Sequence, residues 1–303
     1  MSEHSPIGWT DATWPIVAGC EYESPGCSNC WAVRDSWRLA HNPHKAVREA
    51  FAGTVRKTEA GALVWTGVVR PLPERLDWPL RWRAPRRIFV CSQADLFHPK
   101  VPDEFIDQVF AVMAITPRHT FQVLTKRAER MSAYMISRSR SEQQWERAAR
   151  TLGWTLEWEG RRLAPFPLPN VWLGISVEDQ VRADERVPHL LRAPAAKRWL
   201  SVEPMLEPIR LTVLTLQRLD WIVCGGESAQ TRANTRYFDV DWARDLRDKC
   251  RSAGTAFFMK QGGSRPTDGG VPIALPAGKS SRYKFHELQH LPGDLQIQEF
   301  PDA

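Results

Sequence analysis

The chain has 303 residues, 43% of them hydrophobic and 25% charged. That balance excludes disordered, collagen-like and fibrous chains, and the length suits one large α/β unit. Lys and Arg exceed Asp and Glu by 41 to 35, a net charge of +6 that permits a nucleic-acid partner without requiring one.

No apolar run approaches the roughly 18 residues of a membrane helix. The first fifteen residues, with Glu3, His4 and Asp11, lack a signal-peptide core. The expectation is a cytoplasmic protein with no membrane partner. Short apolar, β-rich runs recur at 15–19, 63–69, 87–92, 120–125, 171–176, 198–201, 220–225 and 256–260. Turn residues and a helix-like stretch follow each, which is how parallel βα units read. After the third run, Pro102-Asp103-Glu104 opens a helix whose Phe105, Val109, Val112 and Met113 share one face, and Pro117 ends it. Residues 179–191 and 240–253 read as further helices, the second closed by Gly254. The fold class expected is α/β: a single parallel (β/α) barrel, TIM-like or partial, over 1–262. It carries insertions at 40–62 and 138–168, and an irregular tail follows over 263–303. The second insertion reads as a charged helix, with Arg138, Arg140, Arg147 and Arg150, and then an aromatic hairpin or loop with Trp145, Trp154 and Trp158. Most of the fourteen Trp are expected in the core or as half-buried lids, with base stacking as the rarer use.

Active sites of parallel barrels are built from the loops at the carboxyl ends of the strands, and here those ends are polar. Ser92, Asp95 and His98 follow the third run and Thr125-Lys126-Arg127 the fourth. Ser176, Glu178 and Asp179 follow the fifth, Ser201 and Glu203-Pro204 the sixth, Gly225-Gly226-Glu227-Ser228 the seventh, and Lys260-Gln261 the eighth. The first run leads into Cys20, Cys27 and Cys30, a Cys-x6-Cys-x2-Cys arrangement around Pro25-Gly26. Three thiolates on one loop suit a soft metal. A zinc site asks for a fourth ligand, and His4, His41 and His44 form no recognisable pair with them. An iron–sulfur cluster on three cysteines leaves one iron open, and unligated thiols are the remaining option. Cys91, Cys224 and Cys250 sit in apolar strands or on a helix and read as small buried hydrophobes.

These residues carry a resemblance. The three-cysteine loop followed by βα units looks like the radical S-adenosylmethionine (SAM) superfamily. More closely, several motifs are similar to a phage and bacterial three-Cys-motif family within it. They are Gly8-Trp9-Thr10-Asp11-Ala12-Thr13-Trp14, Ser24-Pro25-Gly26-Cys27-Ser28-Asn29-Cys30-Trp31-Ala32, Asp95-Leu96-Phe97-His98, Phe121-Gln122-Val123-Leu124-Thr125-Lys126-Arg127, Trp172-Leu173-Gly174-Ile175-Ser176-Val177-Glu178, Leu200-Ser201-Val202-Glu203-Pro204 and Gly225-Gly226-Glu227-Ser228. The common superfamily spacing is Cys-x3-Cys-x2-Cys with an aromatic before the third cysteine. Here the first gap is six, and Asn29 takes the aromatic position.

The resemblance implies a 4Fe-4S cluster on Cys20, Cys27 and Cys30, SAM on its open iron, an external electron donor, and radical abstraction of a substrate hydrogen atom. It further implies cofactor contacts at the strand ends. Ser92 and Asp95 would meet the SAM amino group, and Lys126 or Arg127, beside Thr125, its carboxylate. Ser176 and Glu178 would meet the ribose hydroxyls. Glu203, Glu227 and Lys260 are the candidates for substrate contact or proton transfer. Phage relatives point to an isomerase or tailoring enzyme for a hypermodified thymidine in phage DNA, working in the host cytoplasm. Two rivals stand beside this: a zinc-stabilised nucleic-acid-binding protein without catalysis, and a barrel hydrolase using Glu203 and Glu227 as acid and base.

Overall fold

The computed structural model describes residues 5–140, 143–155, 165–228, 235–274, 276, 279 and 284–302. Seven strands, β1 (Ala12–Trp14), β2 (Arg87–Val90), β3 (Thr120–Thr125), β4 (Val171–Ser176), β5 (Lys197–Val202), β6 (Trp221–Gly225) and β7 (Ala256–Gln261), form one parallel sheet ordered as in the chain. The helices longer than one turn, among the described residues, are α1 (Trp31–Ala40), α2 (Lys45–Phe51), α3 (Asp103–Ile115), α4 (Ala128–Ser139), α5 (Gln143–Thr151), α6 (Gln180–Arg192) and α7 (Val240–Ala253). Strands with helical crossovers are covered on both faces, and the sequence shows it: every residue of β4, Val-Trp-Leu-Gly-Ile-Ser, is buried. Among the described residues no helix is long and apolar enough to cross a membrane.

The chain divides into two compact units. The first comprises Met1–Tyr22, Ala32–Gly174 and Arg192–Ala196; the second comprises Glu23–Trp31, Ile175–Leu191 and Lys197–Ala303.

In the first unit β1 pairs with β2 (Ala12 with Ile88, Trp14 with Val90) and β2 with β3 (Arg87 with Thr120, Val90 with Val123). Its core is aromatic. Trp14 is fully buried, packs on Phe121 with ring centroids 5.7 Å apart, and donates its indole N–H to the Arg75 carbonyl at 2.7 Å. The crossover helix α3 starts where expected: Pro102 precedes it in extended conformation, and Asp103 and Glu104 face the positive end of its dipole. Phe105, Ile106, Val109, Phe110, Val112 and Met113 are buried along it.

Two of the expected strands are not in the sheet. Residues 15–19 were expected to supply its first strand, but that strand is Ala12–Trp14, and Val17–Ala18 pairs antiparallel with Arg70–Pro71 instead. Pro15 has no N–H to give the parallel ladder, so the run breaks there. Residues 63–69 supply Leu63–Trp65, the second arm of an antiparallel hairpin with Val55–Lys57. A turn at Thr58 and Gly61 (φ +80°) closes the hairpin. The expected insertion at 40–62 thus holds α2 and the first arm of that hairpin.

The second insertion holds α5, while Trp158 lies outside the described residues. Trp145 is buried, stacks on Phe110 at 5.0 Å and 16°, and donates to the Tyr134 hydroxyl at 3.2 Å.

In the second unit β5 pairs with β6 and β6 with β7. Trp199, Trp221, Phe257 and Phe258 are buried around them. Helix α7 begins with the Asp239 carboxylate accepting from the Asp241 N–H at 3.0 Å and ends at left-handed Gly254. The C-terminal tail packs on this unit. The Trp221 indole donates to the Glu299 carbonyl at 2.8 Å and stacks on Phe300 at 5.4 Å, and Phe258 bridges to Gln298.

Candidate functional site

In the first unit, Asp95 sits on the turn after β2, buried, and its carboxylate is already surrounded by donors. Thr125 Oγ1 reaches Oδ1 at 2.7 Å; the Lys126 N–H reaches Oδ2 at 3.1 Å and Arg127 Nη1 the same oxygen at 2.9 Å. The Phe97 N–H adds a bond at 2.9 Å. The ends of β2 and β3 are thereby tied by one carboxylate, and four of the expected cofactor residues, Asp95, Thr125, Lys126 and Arg127, fall together. Ser92 is half-buried on the same turn.

The network extends to residues the strand-end reading did not single out for a role. Arg127 Nη2 lies 3.6 Å from Glu21 Oε1, and His98 Nε2 lies 3.0 Å from the same oxygen. His98 is fully buried, and its Nδ1 accepts from the Lys100 N–H at 3.1 Å, so the proton belongs on Nε2, facing Glu21. Burial, then the charge of Arg127, lowers its pKa below the ordinary histidine value against the pull of Glu21 and Asp95. Glu21 follows Cys20, and Gly19 precedes it at φ +86°. A Cβ on Gly19 would stand 2.0 Å from the Val68 carbonyl, so this approach to Cys20 requires glycine.

The second unit holds Cys27 and Cys30. A short turn runs from Pro25 to Cys27, with the Cys27 N–H on the Ser24 carbonyl at 2.8 Å and the Cys30 N–H on the Cys27 carbonyl at 3.2 Å. Glu178, fully buried after β4, accepts from the Gly26 N–H at 3.3 Å and pairs with Arg186 at 3.2 Å; Arg186 also donates to the Ser176 carbonyl at 2.9 Å. Glu227, after β6, accepts from the Asn29 side chain at 2.9 Å and from the Arg236 N–H at 3.0 Å, and it binds the Arg236 guanidinium. Arg236 Nη1 in turn donates to the Pro25 carbonyl at 2.9 Å. Burial raises the Glu227 pKa, and the bonds from Arg236 and Asn29 outweigh it, leaving the carboxyl below its ordinary value.

Glu203 and Lys260 form a separate pair at 2.6 Å, and Gln261 Nε2 also donates to Glu203 at 2.6 Å. Glu227 therefore does not join the Glu203–Lys260 pair, though the sequence reading grouped all three. A Cβ at Gly226, just before Glu227, would stand 2.4 Å from the Gly262 carbonyl, so this glycine serves a backbone contact.

The six cysteines fall into two classes. Cys91, Cys224 and Cys250 are buried, and burial raises all three thiols, Cys250 to about 12, which makes them inert as nucleophiles or ligands. Cys20, Cys27 and Cys30 are half-buried and in no disulfide. Among the described residues, no three His, Cys, Asp or Glu side chains are grouped as ligands of a single metal ion. Thiols are the ligands a soft metal takes, and Cys27 and Cys30 share their loop with a buried Ser24 hydroxyl that has no partner among the described residues.

Local sequence pointed to the polar strand ends but not to Arg186 or Arg236, because nothing in their neighbourhood marks a residue whose partner lies on the cysteine loop. No curated protein and no solved structure matches the chain. One family model, described as a protein of unknown function (DUF5131), matches residues 4–292, nearly the whole chain, and the protein belongs to that family.

Proposed function

We propose that this chain is a radical SAM enzyme in which Cys20, Cys27 and Cys30 hold a 4Fe-4S cluster, on a partial (β/α) barrel. The observation that carries the reading is the contrast among the cysteines: the three half-buried thiols all fall between residues 20 and 30, and the other three are buried. When bound, the cluster and SAM supply one-electron cleavage of SAM and hydrogen-atom abstraction from the substrate, with an external donor for the electron.

The chain's own residues supply charge and orientation. The amino-acid end of SAM carries an ammonium and a carboxylate; Lys126 and Arg127 offer positive charge to the carboxylate and Ser92 a hydroxyl to the ammonium, while Asp95, whose acceptor positions are filled by Phe97, Thr125, Lys126 and Arg127, orients these groups. Ser176 is the candidate for a ribose hydroxyl. Glu203 and Lys260, a carboxylate and an ammonium 2.6 Å apart, can hold and pass a proton at Glu203 Oε2 on the substrate side. The substrate favoured is a hypermodified thymidine of phage DNA, rearranged in an isomerase or tailoring step in the host cytoplasm. A general acid needs a raised pKa, and that of Glu227 is lowered, which weakens the paired-carboxylate hydrolase.

The test is anaerobic purification and iron–sulfur reconstitution, with iron and sulfide analysis and an assay for 5′-deoxyadenosine after SAM and dithionite. The expected result is about four iron per chain and product that disappears when any of Cys20, Cys27 or Cys30 is replaced by Ala. Tightly bound zinc without iron, and no product, would move the chain to the nucleic-acid-binding class.

A further inference from the structure

The loop that carries Cys27 and Cys30 has little to hold it by itself. Its internal bonds are those of short turns, and fixing a stretch this polar is opposed by backbone entropy. What holds it comes from far along the chain: the Glu178 carboxylate on the Gly26 N–H, the Glu227 carboxylate on the Asn29 side chain, and Arg236 on the Pro25 carbonyl. Two of these bonds end on loop backbone, so they fix its path whatever the side chains do.

Both carboxylates are buried, at 0% and 5% exposure, and each is matched by an arginine, Glu178 by Arg186 and Glu227 by Arg236. A carboxylate offers about four acceptor positions. On Glu227, the Asn29 side chain, the Arg236 N–H and Arg236 Nε all bond Oε2, and Arg236 Nη2 bonds Oε1. A substrate or a ribose would reach Oε2 only by displacing the loop.

We propose that Glu227 with Arg236, and Glu178 with Arg186, are positioning residues that clamp the Cys27–Cys30 loop in one conformation before any metal binds. Their meaning for catalysis rests on the radical SAM reading; the clamp itself is a property of the metal-free chain. It gives the two buried carboxylates and their arginines a role distinct from substrate chemistry: they act through the loop.

The experiment uses the full-length apo protein. Iodoacetamide labelling is followed by peptide mass mapping, which gives a rate for each cysteine, and Cys91, Cys224 and Cys250 report whether the fold is intact. With the clamp in place, Arg236→Ala and Glu178→Gln speed labelling of Cys27 and Cys30 by about tenfold, the loss of a charge-assisted bond, while Cys20 changes little and the buried three stay protected. Unchanged rates at Cys27 and Cys30 with the buried three protected overturn the proposal. Where a variant exposes the buried three, Asn29→Ala decides in the same way, since it removes a tie to Glu227 while leaving the Arg236 pair in place. A second readout is Co2+ titration followed by thiolate-to-metal absorption, in which Arg236→Ala binds about tenfold more weakly and Arg236→Lys recovers part of the loss. Failure of the wild-type chain to take up iron or cobalt would overturn the radical SAM reading and leave the labelling result to judge the clamp.

Discussion

At the scale of single residues, Asp95 is the position with most at stake in the first unit. Its pair with Arg127 is buried, each side chain 7% exposed. Removing one partner of such a pair leaves an uncompensated charge, at a cost of about 3–5 kcal/mol. Asp95→Asn is therefore expected to lower stability to denaturant by that order, and Asp95→Asn with Arg127→Met by less than the sum of the single changes, because the second removes the orphaned charge. Losses that simply add would show that the two side chains are not coupled. His98 makes a pH-dependent prediction nearby. Its folded-state pKa is lowered, so below about pH 6.5 the unfolded chain binds a proton that the folded chain refuses. The stability that His98 contributes is complete above that value and is lost as pH falls through the folded pKa. His98→Gln should flatten this part of the stability profile, and an unchanged profile would mean that the imidazole is not held neutral.

At the scale of elements, the C-terminal tail is fastened to the second unit in two ways of unequal strength. Arg244 on α7 bonds Asp241, Asp268 and Asp294, and Arg247 bonds Asp294; the carboxylates are exposed and the arginines half-buried at the surface. Such pairs contribute about 0–1 kcal/mol each and weaken with salt. The Arg244 bonds, against the opposing effect of burial, hold the Asp294 carboxyl down to about 2. That contribution is present above the unfolded value near pH 4 and is lost as pH falls through about 2. Phe300, by contrast, packs on Trp221 and Phe258. Phe300→Ala is expected to cost about 2–4 kcal/mol and Arg244→Gln under about 1 kcal/mol, measured as thermal unfolding. The reverse order would mean that charge, not apolar contact, anchors the tail.

The same scale shows what the sequence could tell. Helices α3 and α7 were legible because Pro102, Asp239 and Gly254 mark their ends chemically, and β2 to β7 because their apolar runs are bounded by turn residues. The runs at 15–19 and 63–69 were equally apolar, but which strand a run pairs with depends on contacts distant in sequence, as with Val17–Ala18 on Arg70–Pro71. The candidate site divides likewise. Cysteine spacing and polar strand ends are local and could be read. That Glu178 and Glu227 serve the loop 152 and 198 residues before them could not.

For the whole molecule, the open question is whether the +6 charge meets DNA. If DNA is the substrate, the four arginines of the second insertion are the charges that could follow phosphate, with an indole stacked on a base. Arg138, however, is held by Asp107 at 2.6 and 2.9 Å and lies over the Tyr134 ring, and Arg150 is paired with Glu146 at 2.5 Å. Arg147 meets the neutral Gln143, and Arg140 is exposed. Two of the four charges are thus largely neutralised by their own unit, and Trp145 is packed on Phe110 rather than offered to a ligand. If DNA is the substrate, few phosphates are engaged from here. A duplex oligonucleotide followed by fluorescence anisotropy should then show a slope of log K against log salt of about −2 to −4, each contact adding about −0.9. Arg147→Glu with Arg140→Glu should make that slope shallower, whereas Trp145→Ala should cost about 3–5 kcal/mol of stability without changing the slope. A flat salt response in the wild-type chain would remove the duplex as substrate and turn the search to a free nucleotide.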